Sequence, residues 1–382
     1  MTFCNRLGSK KKCRHVFGWL VHCQYTKLIN MKQEEKQPIV SITIIHYNTP
    51  QYLKTCLDSI FNQTYKNIEV YFIDNNSPDK SGLNFVIREY KDRKNLKIIP
   101  NKENLGYAKA ANQGIKLAIE HENKADYVVI TNPDIIYTKS YFEKIVSRIE
   151  KDENIAAITG KVYKYDFDNK KKTNIIDTVG LFAYKNRRII DRGQGLEDKG
   201  QFDEEKEVFG VSGACPLYRR EALKDVKILG EYFDEDFFMY KEDVDLSWRF
   251  LLYGWNNFYF PKAVAYHGRG TGVFKRFTNK EVLSHRGKLS KFQKKYSFKN
   301  QRLMQAKNEL WGTFFADFGT IMLRKILMPF YITFREPYLW KSYLDYVKQL
   351  PSALKKRRII MKNRRASAKE MKKWFKKPKI LR

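Results

Sequence analysis

The chain has 382 residues and a mass of 45.5 kDa, room for two or three domains of roughly 100–200 residues. A hydrophobic content of 43%, five scattered cysteines and no internal period exclude global disorder, a disulfide scaffold and a repeat architecture. Lys and Arg number 73 against 42 Asp and Glu, a formal charge of +31 that demands an anionic partner or surface.

In chain order, residues 1–36 carry 8 basic and 2 acidic residues. Val16 to Val21 is too short an apolar run for a secretory signal. Cys4, Cys13, Cys23, His15 and His22 lack a CxxC pair, so zinc is not expected. Residues 37–270 are nearly neutral, at net +1, whereas 271–382 hold 30 basic and 6 acidic residues. A neutral middle between basic flanks argues against a specific nucleic-acid binder, which would carry its charge on the core. The reading is a basic N-terminal extension (1–37), a globular domain (38–270) and a basic helical C-terminal region (271–382).

The middle alternates strands and helices. Ile39 to Tyr47 is a β-branched run, a buried strand, followed by a helix over Tyr52 to Phe61. Ile68 to Ile73 is a second strand and Gly82 to Lys91 a second helix. Leu96 to Ile99 is a third strand, followed by a helix within Asn104 to Glu120, and Tyr127 to Thr131 is a fourth strand. This alternation predicts an α/β fold with a mostly parallel sheet flanked by helices. Ligands then bind beyond the carboxyl ends of the strands. Those ends carry His46-Tyr47-Asn48, Asp74-Asn75 and Asn132-Pro133-Asp134. Neither GxGxxG after the first strand nor a P-loop occurs, which removes the usual phosphate cradles of dehydrogenases and P-loop hydrolases.

In the C-terminal region, Trp311 to Phe334 is rich in aromatic and aliphatic residues but contains Asp317, Arg324 and Lys325. It is not a span of about 18 uncharged apolar residues. With the basic run Lys355-Lys356-Arg357-Arg358 after it, the region reads as an interfacial segment on an anionic leaflet.

Five motifs come in a fixed order: VSITIIHYN (40–48), FIDNNS (72–77), NLGYAKAANQGI (104–115), TNPD (131–134) and FFMYKEDVDLSWRFLLYGW (237–255), with His267 after them. Over about residues 38–270 the sequence resembles family 2 glycosyltransferases, inverting nucleotide-sugar enzymes of GT-A fold. The stretch 193–223 is most similar to bacterial dTDP-rhamnosyltransferases. The resemblance implies a GT-A-type sheet and a divalent metal, Mg²⁺ or Mn²⁺, on Asp134 and His267. Asn132 stands where the family's D-x-D turn has its first Asp. The resemblance also implies nucleotide contacts from Tyr47, Asn48, Asp74, Asn75, Asn104, Gly106, Lys109, Asn112 and Asn132. Asp243 would be the general base, with Glu242 and Asp245 as alternatives.

Each position also has a plainer reading: an Asx turn for Asp134, a helix N-cap for Asp243, capping and an exposed lysine for 104–112. The small residues Gly210 to Ala214 are expected to leave room for a sugar, and Asp234-Glu235-Asp236 to form a solvated acidic turn. The implied partners are a nucleotide-sugar donor (dTDP-rhamnose or a UDP-sugar), a lipid-linked glycan acceptor and an anionic membrane surface. The implied place is the cytoplasmic face of the bacterial inner membrane, held peripherally. A non-catalytic scaffold of the same fold is the alternative.

Overall fold

The computed structural model describes residues 37–120, 124–268, 286–287 and 289–377. The N-terminal cysteines and histidines lie outside the described residues. The first half builds β1 (Val40–His46), α1 (Pro50–Phe61), β2 (Ile68–Asp74), α2 (Ser81–Tyr90) and β3 (Leu96–Pro100). It continues with α3 (Gly106–Glu120), β4 (Tyr127–Thr131), β5 (Ile135–Tyr137) and α4 (Tyr141–Ile149). Then come β6 (Ile155–Asp166), β7 (Lys171–Thr178), β8 (Leu181–Tyr184), β9 (Ile189–Asp191), β10 (Lys206–Val208) and β11 (Leu217–Arg219). After α5 (Arg220–Asp225) follow α6 (Glu242–Leu252) and β12 (Asn256–His267).

The main sheet runs β10-β12-β6-β11-β4-β1-β2-β3, with β5 on β12 and β7 on β6. β1 pairs in parallel with β2 and β4, β2 with β3, and β12 with β6. β11 is antiparallel to both its neighbours. This is the mostly parallel, helix-flanked GT-A-type architecture expected. Alternation along β1 sends Ile42 and Ile44 into the core beneath α1, α2 and α4, and Ile45 into the core beneath α3 and α6. The parallel β1–β2 register sets His46 beside Asp74, bringing two strand-end motifs together.

The C-terminal region adds α7 (Lys291–Asn308), α8 (Trp311–Ala316), α9 (Phe318–Arg335), α10 (Leu339–Asn363), α11 (Ala368–Lys372) and β13 (Phe375–Lys376). It packs on the core: β13 pairs with β8, and the described residues from Ile39 onward lie in one compact unit. The acidic turn 234–236 is not solvated, contrary to expectation. Asp234 is buried between Lys307 of α7 and Lys356 of α10. Lys356 also reaches Glu231 (2.9 Å) and Asp236 (2.9 Å), and Lys307 reaches Asp245 of α6 (3.0 Å). Burial alone would raise the Asp234 carboxyl, but the two ammonium groups hold it far below the usual range. Part of the C-terminal positive charge is therefore internal.

No helix among the described residues is long and apolar enough to cross a membrane. The outer faces of α8, α9 and α10 are nonetheless apolar. Trp311 is 68% exposed and Phe334 80%, with Phe315, Leu323, Ile326, Leu327, Phe330 and Leu344 also exposed.

Candidate active site

The strand ends place three groups of side chains. The first surrounds Asp74. His46 Nδ1 lies 3.0 Å from Asp74 Oδ1, the Ser77 hydroxyl donates to the same oxygen (2.6 Å), and Lys80 Nζ lies 3.4 Å from Oδ2. The Thr49 amide donates to His46 Nε2 (3.2 Å), which fixes a neutral imidazole with its proton on Nδ1. Burial lowers the His46 pKa, against the pull of Asp74. Asp74 is fully buried and bonded within the protein. Tyr47 is 45% exposed, and Asn48, at φ +54°, accepts from the Asp79 amide (3.2 Å).

The asparagines expected to contact nucleotide divide. Asn75 donates to Asn104 Oδ1 (3.0 Å) and the Gly106 carbonyl (3.2 Å), and it accepts from Leu105 N–H (3.1 Å) and Asn101 (3.1 Å). Asn112 donates to Phe233 O and Glu235, and accepts from the Tyr232 and Phe233 amides. Two donors and two acceptors are an amide's usual capacity, so both are struts and have no group left over for a ligand. Gly106 has φ +74°, and a Cβ there would lie 2.4 Å from the Phe238 ring, so the close approach is to Phe238 and not to a phosphate. Lys109 is exposed.

The second group is a line of three side chains. His267, at the end of β12, lies with Nδ1 2.8 Å from Asp177 Oδ2 and Nε2 3.3 Å from Asp134 Oδ1. Burial alone would lower the His267 pKa, but the two carboxylates push it up to about 9. Sequence reasoning missed Asp177. It carries no motif and reaches the site because the β6–β7 register slips between Val162 and Tyr163, where a bulge turns it inward.

Among the described residues no group of three His, Cys, Asp or Glu is arranged to hold a metal alone. A site shared with a diphosphate needs fewer protein ligands. Asp134 oxygen and His267 nitrogen converge at close to the ~3 Å separation of neighbouring ligands around an ion with ~2.1 Å bonds. Asp177 on the far nitrogen is the usual orienting partner of a metal-binding histidine. These residues therefore fit a divalent cation. Asn132 adjoins them, its amide N–H held by the Ala214 carbonyl (3.1 Å).

The third group lies at the mouth of α6. The N-cap is Lys241, at φ +74°, not Asp243. Asp243 Oδ2 accepts from Gly213 N–H (2.8 Å) and Oδ1 from Val244 N–H (2.8 Å), while Tyr107 donates to the Gly213 carbonyl (2.9 Å). The glycines of 210–214 make room for the protein itself: Gly210 packs on Ser247 and Gly213 on Asp243. Burial raises the Asp243 pKa, with the Gly213 amide and Lys241 opposing. Burial and then Asp243 push Glu242 up to about 8. Of the two, Asp243 is the better seat for a negative charge, since it has two N–H donors, while Glu242 Oε2 has no hydrogen-bond partner among the described residues. Asp245 is fully buried and held by Arg249, Lys307 and Asn308, which removes it as an alternative base.

The loop entering α6 is strained. Phe238, Tyr240 and Lys241 all have positive φ (62°, 70° and 74°). Asn300, buried on α7, donates its amide to the carbonyls of Phe237 (2.9 Å), Met239 (2.9 Å) and Tyr240 (2.7 Å). The C-terminal region thus holds the loop that aims the carboxylates.

Residues 41–227 match the model "Glycosyl transferase family 2". The N-acetylglucosaminyl-diphospho-decaprenol L-rhamnosyltransferase of Mycobacterium tuberculosis is 28% identical over 246 residues, 60% of this chain and 75% of that protein. The poly-beta-1,6-N-acetyl-D-glucosamine synthase of Staphylococcus epidermidis is 25% identical over 244 residues, 63% of this chain. The chain spans about half the length of that relative, 53%. Among solved structures, GalNAc-T7 with UDP, GalNAc and Mn²⁺ overlaps 72% of this chain and 53% of that chain, at 14% identity and a TM-score of 0.49. The motifs, the sheet and the family match agree: the chain carries a glycosyltransferase family 2 domain over residues 41–227.

Proposed function

We propose that the protein is an inverting glycosyltransferase that moves a sugar, rhamnose in the favoured reading, from a nucleotide-sugar to a lipid-linked glycan. The observation that carries this is the pairing of two sites at the strand ends: Asp134–His267–Asp177, and Asp243 with Glu242 at the mouth of α6. Asp134 and His267 would hold a divalent cation, whose charge would offset that of the donor's diphosphate. Tyr47 and Asn48 flank the nucleoside, and Asn132 the diphosphate. Asp243 takes the proton of the acceptor hydroxyl as that oxygen bonds the anomeric carbon from the face opposite the diphosphate. The carbon–phosphate-oxygen bond breaks, and the nucleoside diphosphate leaves with its electron pair.

The name of the mycobacterial relative supports rhamnose and a prenyl-diphosphate acceptor; that of the staphylococcal relative supports N-acetylglucosamine as the sugar. Exposed aromatics on α8 and α9 beside basic residues support peripheral attachment to an anionic leaflet, which in this reading is the cytoplasmic one.

Calorimetry with dTDP, dTDP-rhamnose, UDP and UDP-sugars, with and without Mn²⁺, tests the donor. Metal-dependent preference for dTDP-rhamnose is expected. Preference for UDP species would discard rhamnose, and no binding at all would favour a non-catalytic scaffold. Asp243→Asn is expected to keep donor binding and lose about 10²–10⁴ in rate, the usual share of general-base catalysis.

A further inference from the structure

Behind the catalytic helix, α7, α8, α9 and α10 enclose a cavity of about 650 Å³, within the range of small-molecule sites. Its chemistry is split. One wall is apolar: Trp311, Phe314, Met328, Ile332, Trp340 and Tyr343. Trp311, Trp340 and Tyr343 are exposed as well, so this wall continues onto the outer apolar face of the same helices. The other wall carries Arg302, Arg324 and Arg357.

Among the described residues none of these guanidinium groups has a carboxylate in ion-pair contact: they donate to carbonyls, Arg302 also lies over the Phe298 ring, and Arg357 feels the charge of Glu309 without pairing with it. Arg324 donates to Asn186 O (3.2 Å), Arg302 to Phe298 O (2.9 Å) and Arg357 to Glu309 O (2.7 Å). The one carboxylate lining the cavity, Glu309, is held by Arg187 through two bonds (2.6 and 2.9 Å). Burial, with repulsion from Arg324 on Arg302 and from Arg188 and Arg286 on Arg324, lowers both to about 10, still protonated at neutral pH. Half-buried like charges kept together without anions are costly in the empty protein and are complementary to an anion with several oxygens.

The cavity is linked to the reaction centre through the β8–β9 turn: Arg324 donates to Asn186 O, and three residues further on Ile189 O lies 3.4 Å from Nζ of Lys241, which immediately precedes Glu242 and Asp243. A ligand head seated on the arginines therefore lies on the α6 side of the site.

We propose that this cavity binds the diphosphate end of a prenyl-diphosphate-linked acceptor, arginines on the phosphates and the aromatic wall on the first isoprenoid units. The proposal rests on the transferase reading for the word acceptor, but its binding chemistry stands apart from it. An anionic phospholipid head offers similar phosphate chemistry and is the competing source.

The test uses the full-length protein and calorimetry with farnesyl diphosphate, inorganic pyrophosphate and phosphatidylglycerol vesicles. Farnesyl diphosphate is expected to bind without nucleotide, and more tightly than pyrophosphate. Arg302→Gln/Arg324→Gln is expected to weaken it by ~10-fold or more, as loss of charge-assisted bonds implies. The same variant should melt no lower than wild type, because it relieves repulsion, and should bind donor nucleotide unchanged. Trp311→Ala/Trp340→Ala should weaken farnesyl diphosphate and leave pyrophosphate alone. Equal affinity for pyrophosphate, full displacement by phosphatidylglycerol, unchanged affinity in the arginine variant, or its failure to fold would each overturn the proposal. Farnesyl diphosphate binding without any nucleotide-sugar binding would instead sink the transferase reading and leave the cavity assignment standing.

Discussion

Asn300 offers a direct measure of how the C-terminal helices govern the active site. Its amide holds three carbonyls of 237–240, beside three residues in the left-handed region. Each such residue costs roughly 1–2 kcal/mol, so this loop stores roughly 3–6 kcal/mol just before Glu242. Asn300→Ala removes two N–H donors and so the equivalent of two satisfied carbonyls, at about 1–3 kcal/mol each, which predicts a stability loss of about 2–6 kcal/mol. Asn300→Asp keeps the shape but points oxygens at oxygens, and should be worse. Released, the loop relaxes and shifts Asp243; a displacement near 1 Å costs on the order of 10²-fold in rate. Urea melts give the first quantity. Turnover at saturating donor, with donor affinity measured separately, gives the second. A variant that melts early yet keeps the wild-type turnover and pH profile would refute the positioning role and leave Asn300 purely structural.

Other outcomes follow from the same geometry. Glu242 titrates near 8 in the folded chain against 4.5 unfolded, so unfolding releases a proton in that window. Its contribution to stability is present below about pH 4.5 and lost as pH rises through about 8. Glu242→Gln should therefore melt higher than wild type at pH 8 and equally at pH 4; the reverse order would show that Glu242 is charged when folded. Asp177→Asn should weaken Mn²⁺ binding by ~10–100-fold, read as a reduced Mn²⁺-induced rise in Tm, since Asp177 orients His267. Lys356→Met leaves Asp234 and Asp236 short of a buried cation and should cost about 3–5 kcal/mol in a urea melt. Truncation after residue 270 removes Lys307, Asn300 and Lys356 together, and should yield no soluble folded domain by circular dichroism; a stable fragment would contradict the single-unit packing.

The strands and helices up to residue 131 were legible in the sequence because buried parallel strands read as continuous β-branched runs and their crossover helices keep a 3.6-residue period. The strand-end residues were legible for the same reason: topology puts chemistry where a strand stops, and His46, Asp74, Asp134 and His267 all stand there. Local pattern does not record which polar groups are spent on the protein itself. Asn75, Asn112 and Asp245 look like ligands in one dimension. They prove to be struts, because partners that hold them come from segments 26–123 residues away, with Arg249 on the same helix adding to those of Asp245. Asp177 was invisible because a bulge two strands from β12 aims it, and register is a long-range property. The charge of the C-terminal region was countable, but only packing decided its use. Lys307 and Lys356 neutralise a buried acidic turn, whereas Arg302 and Arg324 have no carboxylate in ion-pair contact among the described residues and line a cavity. Sequence determined the sheet and the kinds of residue at its edge. Tertiary structure decided which charges are satisfied and which are left for a ligand, since pairing energy depends on distance and burial and not on order along the chain.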